Sequence, residues 1–233
     1  MALYLILMGA QGAGKGTQAA LIRDHYQLLH LSTGDAFRAM KTRTDDLARH
    51  VQELMAAGKL IDDDTTNAVV ADRLAQPDAA KGAILDGYPR NPIQAAFLNQ
   101  YLSERGHKVN AVLLLHVDLY TAFKRAFGRV TASDGEGYNI FFRNQGISIS
   151  TEKHPEGLFP PRIIAQKEGE MLSRRADDAD ALAVIKRIDT YVAETQPLID
   201  FYQQAGILHT LDADRPIDSV SADLMALIEQ VKG

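Results

Sequence analysis

Short apolar runs without alternation recur along this chain, separated by stretches of helical period. Residues 3–8 (LYLILM), 28–31, 83–86 (AILD), 111–117 (AVLLLHV) and 207–211 (ILHTL) are of the first kind, the pattern of strands buried on both faces. Helical periodicity falls between them, over residues 15–25, 65–75, 92–105, 119–127, 178–204 and 217–231. Strand and helix in alternation predict an α/β chain, with a five-stranded parallel sheet covered by helices on both faces. Ligands of such sheets bind at the carboxyl ends of the strands.

Two stretches break the rhythm. Residues 32–61 carry helical pieces and no strand. Residues 128–178 are rich in Gly, Pro and polar residues, with Tyr138, Phe141, Phe142 and Phe159 interspersed. A structureless loop of that length is unusual in a compact domain, so the segment is expected to be a small inserted unit of short strands. The Phe159-Pro160-Pro161 turn and the aromatics weigh against plain disorder.

The first apolar run leads directly into GAQGAGKGT, residues 9–17. Gly9, Gly12 and Gly14 permit a tight turn and a close backbone approach. A strand, a loop of bare N–H groups and a helix N-terminus form a phosphate cradle, to which Lys15 adds a point charge. The hydroxyl that usually follows the lysine directly is displaced by one: Gly16 fills that slot and Thr17 comes next. This GKGT ending resembles nucleoside monophosphate kinases more than motor or switch ATPases.

Other groups fall at strand ends. Ser32-Thr33-Gly34-Asp35-Ala36-Phe37-Arg38 follows the second run, where a capped helix is the plain alternative. Asp86-Gly87-Tyr88-Pro89-Arg90 follows the third, with Gln94 one turn into the next helix. A carboxylate at a strand end suits a hydrated Mg²⁺ ion, and an amide suits the edge of adenine. Arg125 and Arg129, at i and i+4, are expected on one helical face. Arg174, Arg175, Asp177, Asp178 and Arg187 lie beyond the insertion. Arginines and acids on a helix are usually a salt-bridged surface. Here they bracket an insertion beside a phosphate loop, and guanidinium groups neutralise a transferring phosphoryl group well.

Composition narrows the classes. The 233 residues are 46% hydrophobic with a net charge of −5, acids and bases mixed. That disfavours nucleic acid or an anionic membrane as partner. There is no cysteine, hence no disulfide and no thiolate metal site, and the seven histidines are scattered. The apolar N-terminal stretch is too short for a membrane span and lacks a basic leader, so a cytoplasmic protein is expected.

At this point the chain resembles the adenylate kinase family over nearly its whole length. The markers stand in family order: GAQGAGKGT, LSTGDAFR, AAGKLIDDD, LDGYPRNPIQA, FKRAFGR, LSRRADD, IKRIDTY and DADRP. The resemblance implies a three-layer α/β/α fold of the P-loop kind. Residues 1–31, 62–127 and 179–233 would be the core, 32–61 an AMP-binding flap and 128–178 a lid. It also implies roles. Gly12, Ala13, Gly14, Lys15, Gly16 and Thr17 would wrap the ATP phosphates, with Arg125, Arg129, Gly137 and Tyr138 also on ATP and Arg215 near its base. Thr33, Arg38, Lys59, Leu60, Ile61, Gly87, Tyr88, Pro89, Arg90 and Gln94 would hold AMP, Arg90 on its phosphate and Gln94 on its base. Arg175 and Arg187 would close over the phosphates, paired with Asp177 and Asp178, and Asp86 would order water around Mg²⁺.

Three departures from the family pattern stand out. Gln11 occupies a position usually held by proline, Pro92-Ile93 reverses the usual order, and the long lid lacks the four-cysteine zinc site of many relatives. No zinc is expected. The implied reaction is reversible transfer of the terminal phosphoryl group of Mg–ATP to AMP, giving two ADP, by a monomer. Kinases of UMP, CMP or GMP, a weakly catalytic nucleotide-binding regulator and an unrelated phosphate-loop ATPase are the rivals.

Overall fold

A computed structural model of the chain describes residues 2–57, 61–153, 157 and 162–232, without the side chains of Ala176 and Asp177. By compactness the chain divides into two units. One comprises residues 1–9, 14–116 and 194–233; the other, residues 10–13 and 117–193.

The first unit holds a five-stranded parallel sheet. Its strands are β1 (Leu3–Met8), β2 (Leu29–Ser32), β3 (Gly82–Asp86), β4 (Ala111–His116) and β10 (Leu208–Asp212), in the spatial order β10-β4-β1-β3-β2. Each expected run forms a strand. The second begins one residue later than expected and extends to Ser32, so the stretch 32–61 opens on the last residue of a strand. All six residues of β1 are buried, which is why the run shows no alternation.

Helices α1 (Lys15–Tyr26), α2 (Thr33–Met40), α3 (Asp46–Ala56), α4 (Asp63–Leu74) and α5 (Pro92–Ser103) follow in this unit, as does α9 (Ile217–Val231) near the C-terminus. Alternate residues of β1 serve opposite faces. Tyr4, Ile6 and Met8 join Val70 and Leu74 of α4, Leu98 and Leu102 of α5, and Leu198 and Tyr202 in one core cluster. On the other face α1 and α9 pack on each other and on β3 and β4. Burial of each large aliphatic side chain contributes about 1.5–3 kcal/mol. A smaller cluster of Ala36, Met40, Ala48, Val51 and Val69 fastens α2 and α3 to α4.

Side chains set the helix starts. Asp45, Asp62 and Asn91 accept the N–H groups of Ala48, Thr65 and Gln94 at 3.1, 2.7 and 2.9 Å.

The second unit contains α6 (Leu119–Phe127), β5 (Arg129–Thr131), β6 (Gly137–Asn139), β7 (Ile147–Glu152), β8 (Arg162–Lys167), β9 (Glu170–Met171) and α7 (Ala176–Ala179). It also takes in α8 (Ala181–Gln204) as far as residue 193. The strands form a two-stranded and a three-stranded antiparallel sheet, joined through Val130, Tyr138, Ile140, Ala165 and Leu172. The short strands expected across 128–178 are therefore present. The Phe159-Pro160-Pro161 turn lies outside the described residues.

Two expectations are corrected. Gly128 ends α6, and Arg129 begins β5, so Arg125 and Arg129 do not share a helical face. The helix expected over 178–204 is broken at Asp180, which is extended (φ −104°, ψ 124°). Its carboxylate accepts the N–H of Leu182 at 2.9 Å, a local bond that competes with helix continuation.

Candidate active site

Sheet register gathers the motif loops of the first unit. Asp86 is the partner of Leu7 on one side and of Ser32 on the other. The loop after β1, the turn after β3 and the start of α2 therefore leave from adjacent strands at one carboxyl edge, each neighbour ~4.8 Å away.

At the loop, Gly14 caps α1 in the left-handed region (φ 91°), and a Cβ built on Gly14 or Gly16 meets nothing within 4 Å. Open space lies over the first turn, whose N–H groups lack partners within the helix. The ammonium of Lys15 donates to the carbonyl of Gly9 at 2.7 Å, folded over the loop that carries it. Thr17 is exposed, two residues inside the helix. Gly12 is constrained in another way. It sits at φ 91°, and a Cβ there would lie 2.2 Å from the carbonyl oxygen of Ala122 in α6. Ala13, beside it, is buried and donates its N–H to the carbonyl of Ala10 at 3.0 Å.

The turn after β3 is fixed from several directions. The hydroxyl of Thr33 donates to the carbonyl of Gly87 at 3.2 Å, and Arg90 Nε donates to the same oxygen at 3.0 Å. Tyr88 is buried, and its hydroxyl donates to Asn67 Oδ1 at 2.6 Å; burial pushes its ionisation well above the usual phenol value. Pro89, also buried, follows a cis peptide bond. Gln94, expected on a nucleotide base, is 4% exposed and already engaged. Its Oε1 accepts the N–H of Arg90 at 2.8 Å and its Nε2 donates to Asp63 at 2.6 Å. Asn91 donates to both oxygens of the same carboxylate, at 3.0 and 3.1 Å.

Asp86 is mostly buried, with His30 Nε2 3.6 Å from its carboxylate. Among the described residues no three metal-ligating side chains cluster. A single carboxylate beside a phosphate loop suits Mg²⁺, which keeps most of its waters and draws other ligands from phosphates.

Arg38 is exposed and pairs with Asp35. Ile61 is partly buried and packs with the cluster of α2, α3 and α4. Lys59 and Leu60 lie outside the described residues. Arg215 donates to the carbonyl of Asp212 at 3.1 Å and pairs with Asp223 at 2.6 Å.

In the second unit a buried carboxylate organises the cations. Asp178 is 1% exposed at its side chain; Arg129 Nε lies 3.7 Å from Oδ2 and Arg187 Nη1 3.5 Å from Oδ1. Arg174 is partly buried, stacks over the Phe127 ring with 4.6 Å to its centroid, and donates to the carbonyls of Phe127 and Asp178. Burial pulls its ionisation downward, against the field of Asp178. Arg175 is exposed at the start of α7, and Arg125 is partly buried in α6. The side chain of Asp177 lies outside the description.

Gly137 is exposed in β6. Tyr138 is buried; its hydroxyl binds Glu136 and Lys167, and the Arg143 guanidinium lies 5.3 Å from the ring centroid. Its side chain thus belongs to the core of these strands.

Sequence reading passed over two participants, Asp63 beneath Gln94 and Asn67 under Tyr88, and it named Arg174 and Gln11 without their contacts, Arg174 on α6 and the Gln11 amide donating to Asp178. Gln11 carried a signal as a departure from the family pattern, and Arg174 as one of the arginines beyond the insertion. The others are revealed by partners distant in sequence.

A parallel sheet whose central strand runs through a glycine-rich loop into a helix, with Lys15 on the loop and arginines gathered at a buried acid, defines a phosphate-loop phosphotransferase. Residues 7–207 match the family model described as adenylate kinase. The chain is 40% identical over 226 residues to the adenylate kinase of Symbiobacterium thermophilum, covering 95% of this chain and 96% of that one. It is 38% identical over 225 residues to that of Caldanaerobacter subterraneus subsp. tengcongensis, covering 95% and 94%. With that of Leuconostoc mesenteroides subsp. mesenteroides it shares 37% over 231 residues, covering 99% and 100%. The chain belongs to the adenylate kinase family, enzymes that pass the terminal phosphoryl group of ATP to AMP.

Proposed function

We propose that ATP lies with its phosphates on the loop of Gly12, Ala13, Gly14, Lys15, Gly16 and Thr17, and that AMP lies against Thr33, Arg38, Ile61, the Gly87–Arg90 turn and Gln94. The observation that carries this reading is the register Leu7–Asp86–Ser32, which sends both sets of loops from one sheet edge. The phosphate oxygen of AMP attacks the terminal phosphorus of ATP in line, and ADP leaves; no covalent enzyme intermediate is required. Lys15, Arg90, Arg129, Arg175 and Arg187 spread the charge of the transferring group. Arginines so placed contribute on the order of 10³–10⁵ in rate. Arg125 and the 137–138 strand serve the ATP side, and Arg215 its base.

Mg²⁺, when bound, neutralises phosphate charge; Asp86 would hold it through water. The strands of 128–178 act as the lid and exclude water, which would otherwise accept the phosphoryl group. Asp178, with Asp177, steadies the arginines. No helix among the described residues is long and apolar enough to cross a membrane. The reading extends to a monomer in the cytoplasm, which a chain without cysteine suits.

A coupled assay of ADP formation from Mg–ATP with AMP, UMP, CMP and GMP tests the acceptor. AMP is expected to be preferred, and Arg90→Ala to lose roughly 10²-fold or more in kcat/KM for AMP. A pyrimidine preference would sink the reading. So would failure of a molecule linking two adenosines through phosphates to bind.

A further inference from the structure

We propose that Asp63 is a positioning residue that sets acceptor specificity: its carboxylate fixes the polarity of the Gln94 amide, so that the amide accepts a base with an amino group and rejects one with a carbonyl at the same place. Gln94 Nε2 donates to Asp63 Oδ1 at 2.6 Å, and Gln94 Oε1 accepts the backbone N–H of Arg90 at 2.8 Å. Asn91 Nδ2 donates to both oxygens of Asp63, at 3.0 and 3.1 Å, while Asn91 Oδ1 accepts the backbone N–H of Gln94 at 2.9 Å.

Each link in this chain of bonds has a direction. A backbone N–H only donates, and a carboxylate only accepts. The N–H of Gln94 turns the oxygen of Asn91 toward itself, which points the amide nitrogen of Asn91 at Asp63. The N–H of Arg90 and the carboxylate of Asp63 then settle the two ends of the Gln94 amide. A half-turn of that amide would set oxygen against carboxylate and nitrogen against N–H, breaking two hydrogen bonds at a side chain only 4% exposed. An amide has two donor and two acceptor places, so beyond these bonds Gln94 keeps one of each for a base. Adenine offers an amino group beside a bare ring nitrogen; hypoxanthine, the base of IMP, offers a carbonyl beside a ring N–H. A freely turning amide serves either edge. An amide of fixed polarity serves one, and faces the other with like groups left unpaired.

This assignment rests on the reading that Gln94 meets the AMP base. Initial rates with Mg–ATP and either AMP or IMP, on the intact chain, test both, because the two acceptors differ only along that edge. Where IMP is not turned over, its inhibition of AMP turnover gives the comparison. Gln94→Met should lower the ratio of kcat/KM for AMP to that for IMP; if the ratio is unchanged, that reading falls and this inference with it. If the ratio falls, Asp63→Asn should also lower it, by about tenfold, the equivalent of one such bond. An asparagine amide offers either end, so it no longer dictates the polarity of its neighbour. In a Gln94→Met background the same substitution should leave the ratio within about twofold, because Asp63 acts through the amide.

Asp63 also stands in the first turn of α4, where a carboxylate favours the helix. A role confined to the helix would lower the Tm and leave the AMP-to-IMP ratio at its parental value. That ratio in Asp63→Asn would overturn the inference while the reading of Gln94 stands. So would an equal fall in the Gln94→Met background. Where Asp63→Asn does not fold, Asp63→Ala decides. It admits water, which donates or accepts, and should lower the ratio in the same direction; a parental ratio there would overturn the inference equally.

Discussion

The side-chain carbonyl of Gln94 accepts the backbone N–H of Arg90 at 2.8 Å. The residue proposed for the AMP base thus holds the turn that carries the residue proposed for the AMP phosphate. Gln94→Met removes this bond and the one to Asp63 while keeping the length of the side chain. The expected result is a loss of about 1–3 kcal/mol in denaturant unfolding, from partners left unsatisfied at a buried site. KM for AMP should rise several-fold with KM for ATP little changed; equal shifts in both would argue against the assignment.

Two glycines of one loop should respond oppositely to alanine. Gly12→Ala puts a Cβ 2.2 Å from a backbone oxygen at φ 91°. It should be destabilised by more than the ~1–2 kcal/mol of the left-handed conformation alone. Gly16→Ala meets open space and lies inside α1. Its stability should hold or rise by up to ~1 kcal/mol, while KM for ATP increases because the methyl group stands where phosphate is proposed to sit. Paired melting curves and ATP kinetics separate the two.

Arg174 joins the start of the 128–178 segment to its end, through the Phe127 carbonyl and ring. Lysine cannot reproduce a planar fork stacked on an aromatic ring. Arg174→Lys should therefore destabilise by about 1–2 kcal/mol, read from chemical denaturation, although charge is conserved. A melting curve identical to the parent's would refute this.

Acid sensitivity follows from the helix starts. The N–H and hydroxyl of Thr65 hold the Asp62 carboxyl below its ordinary value of 3.8. Arg43, then the N–H of Ala48, do the same for Asp45. A carboxyl lowered on folding lends stability above its unfolded pKa, and loses it as pH falls through its folded pKa. Stability should therefore decline as pH falls below about 4. Asp62→Ala, less stable at neutral pH, should show a flatter acid limb in Tm against pH.

Most of the sheet was legible because parallel strands buried on both faces must be continuously apolar, as residues 3–8 and 111–115 are. The loop was legible because glycine and lysine spacing is itself the chemistry. Boundaries set by one side chain were not: Asp180 interrupts a helix whose period continues past it, and Gly128 stops α6 where the arginine spacing still looks helical. Likewise, nothing local to Gln94 announces Asp63, 31 residues away. Which end of an amide is already taken is decided by folding, not by composition.

The strands between α6 and α7 cohere through Val130, Tyr138, Ile140, Ala165 and Leu172, in a chain with no cysteine to bind metal or crosslink. Cohesion of that origin is entropic near room temperature and fades on cooling. Near freezing this part of the molecule should loosen, so amide hydrogens such as that of Ile140 would exchange faster relative to those of β1 than they do in warmth.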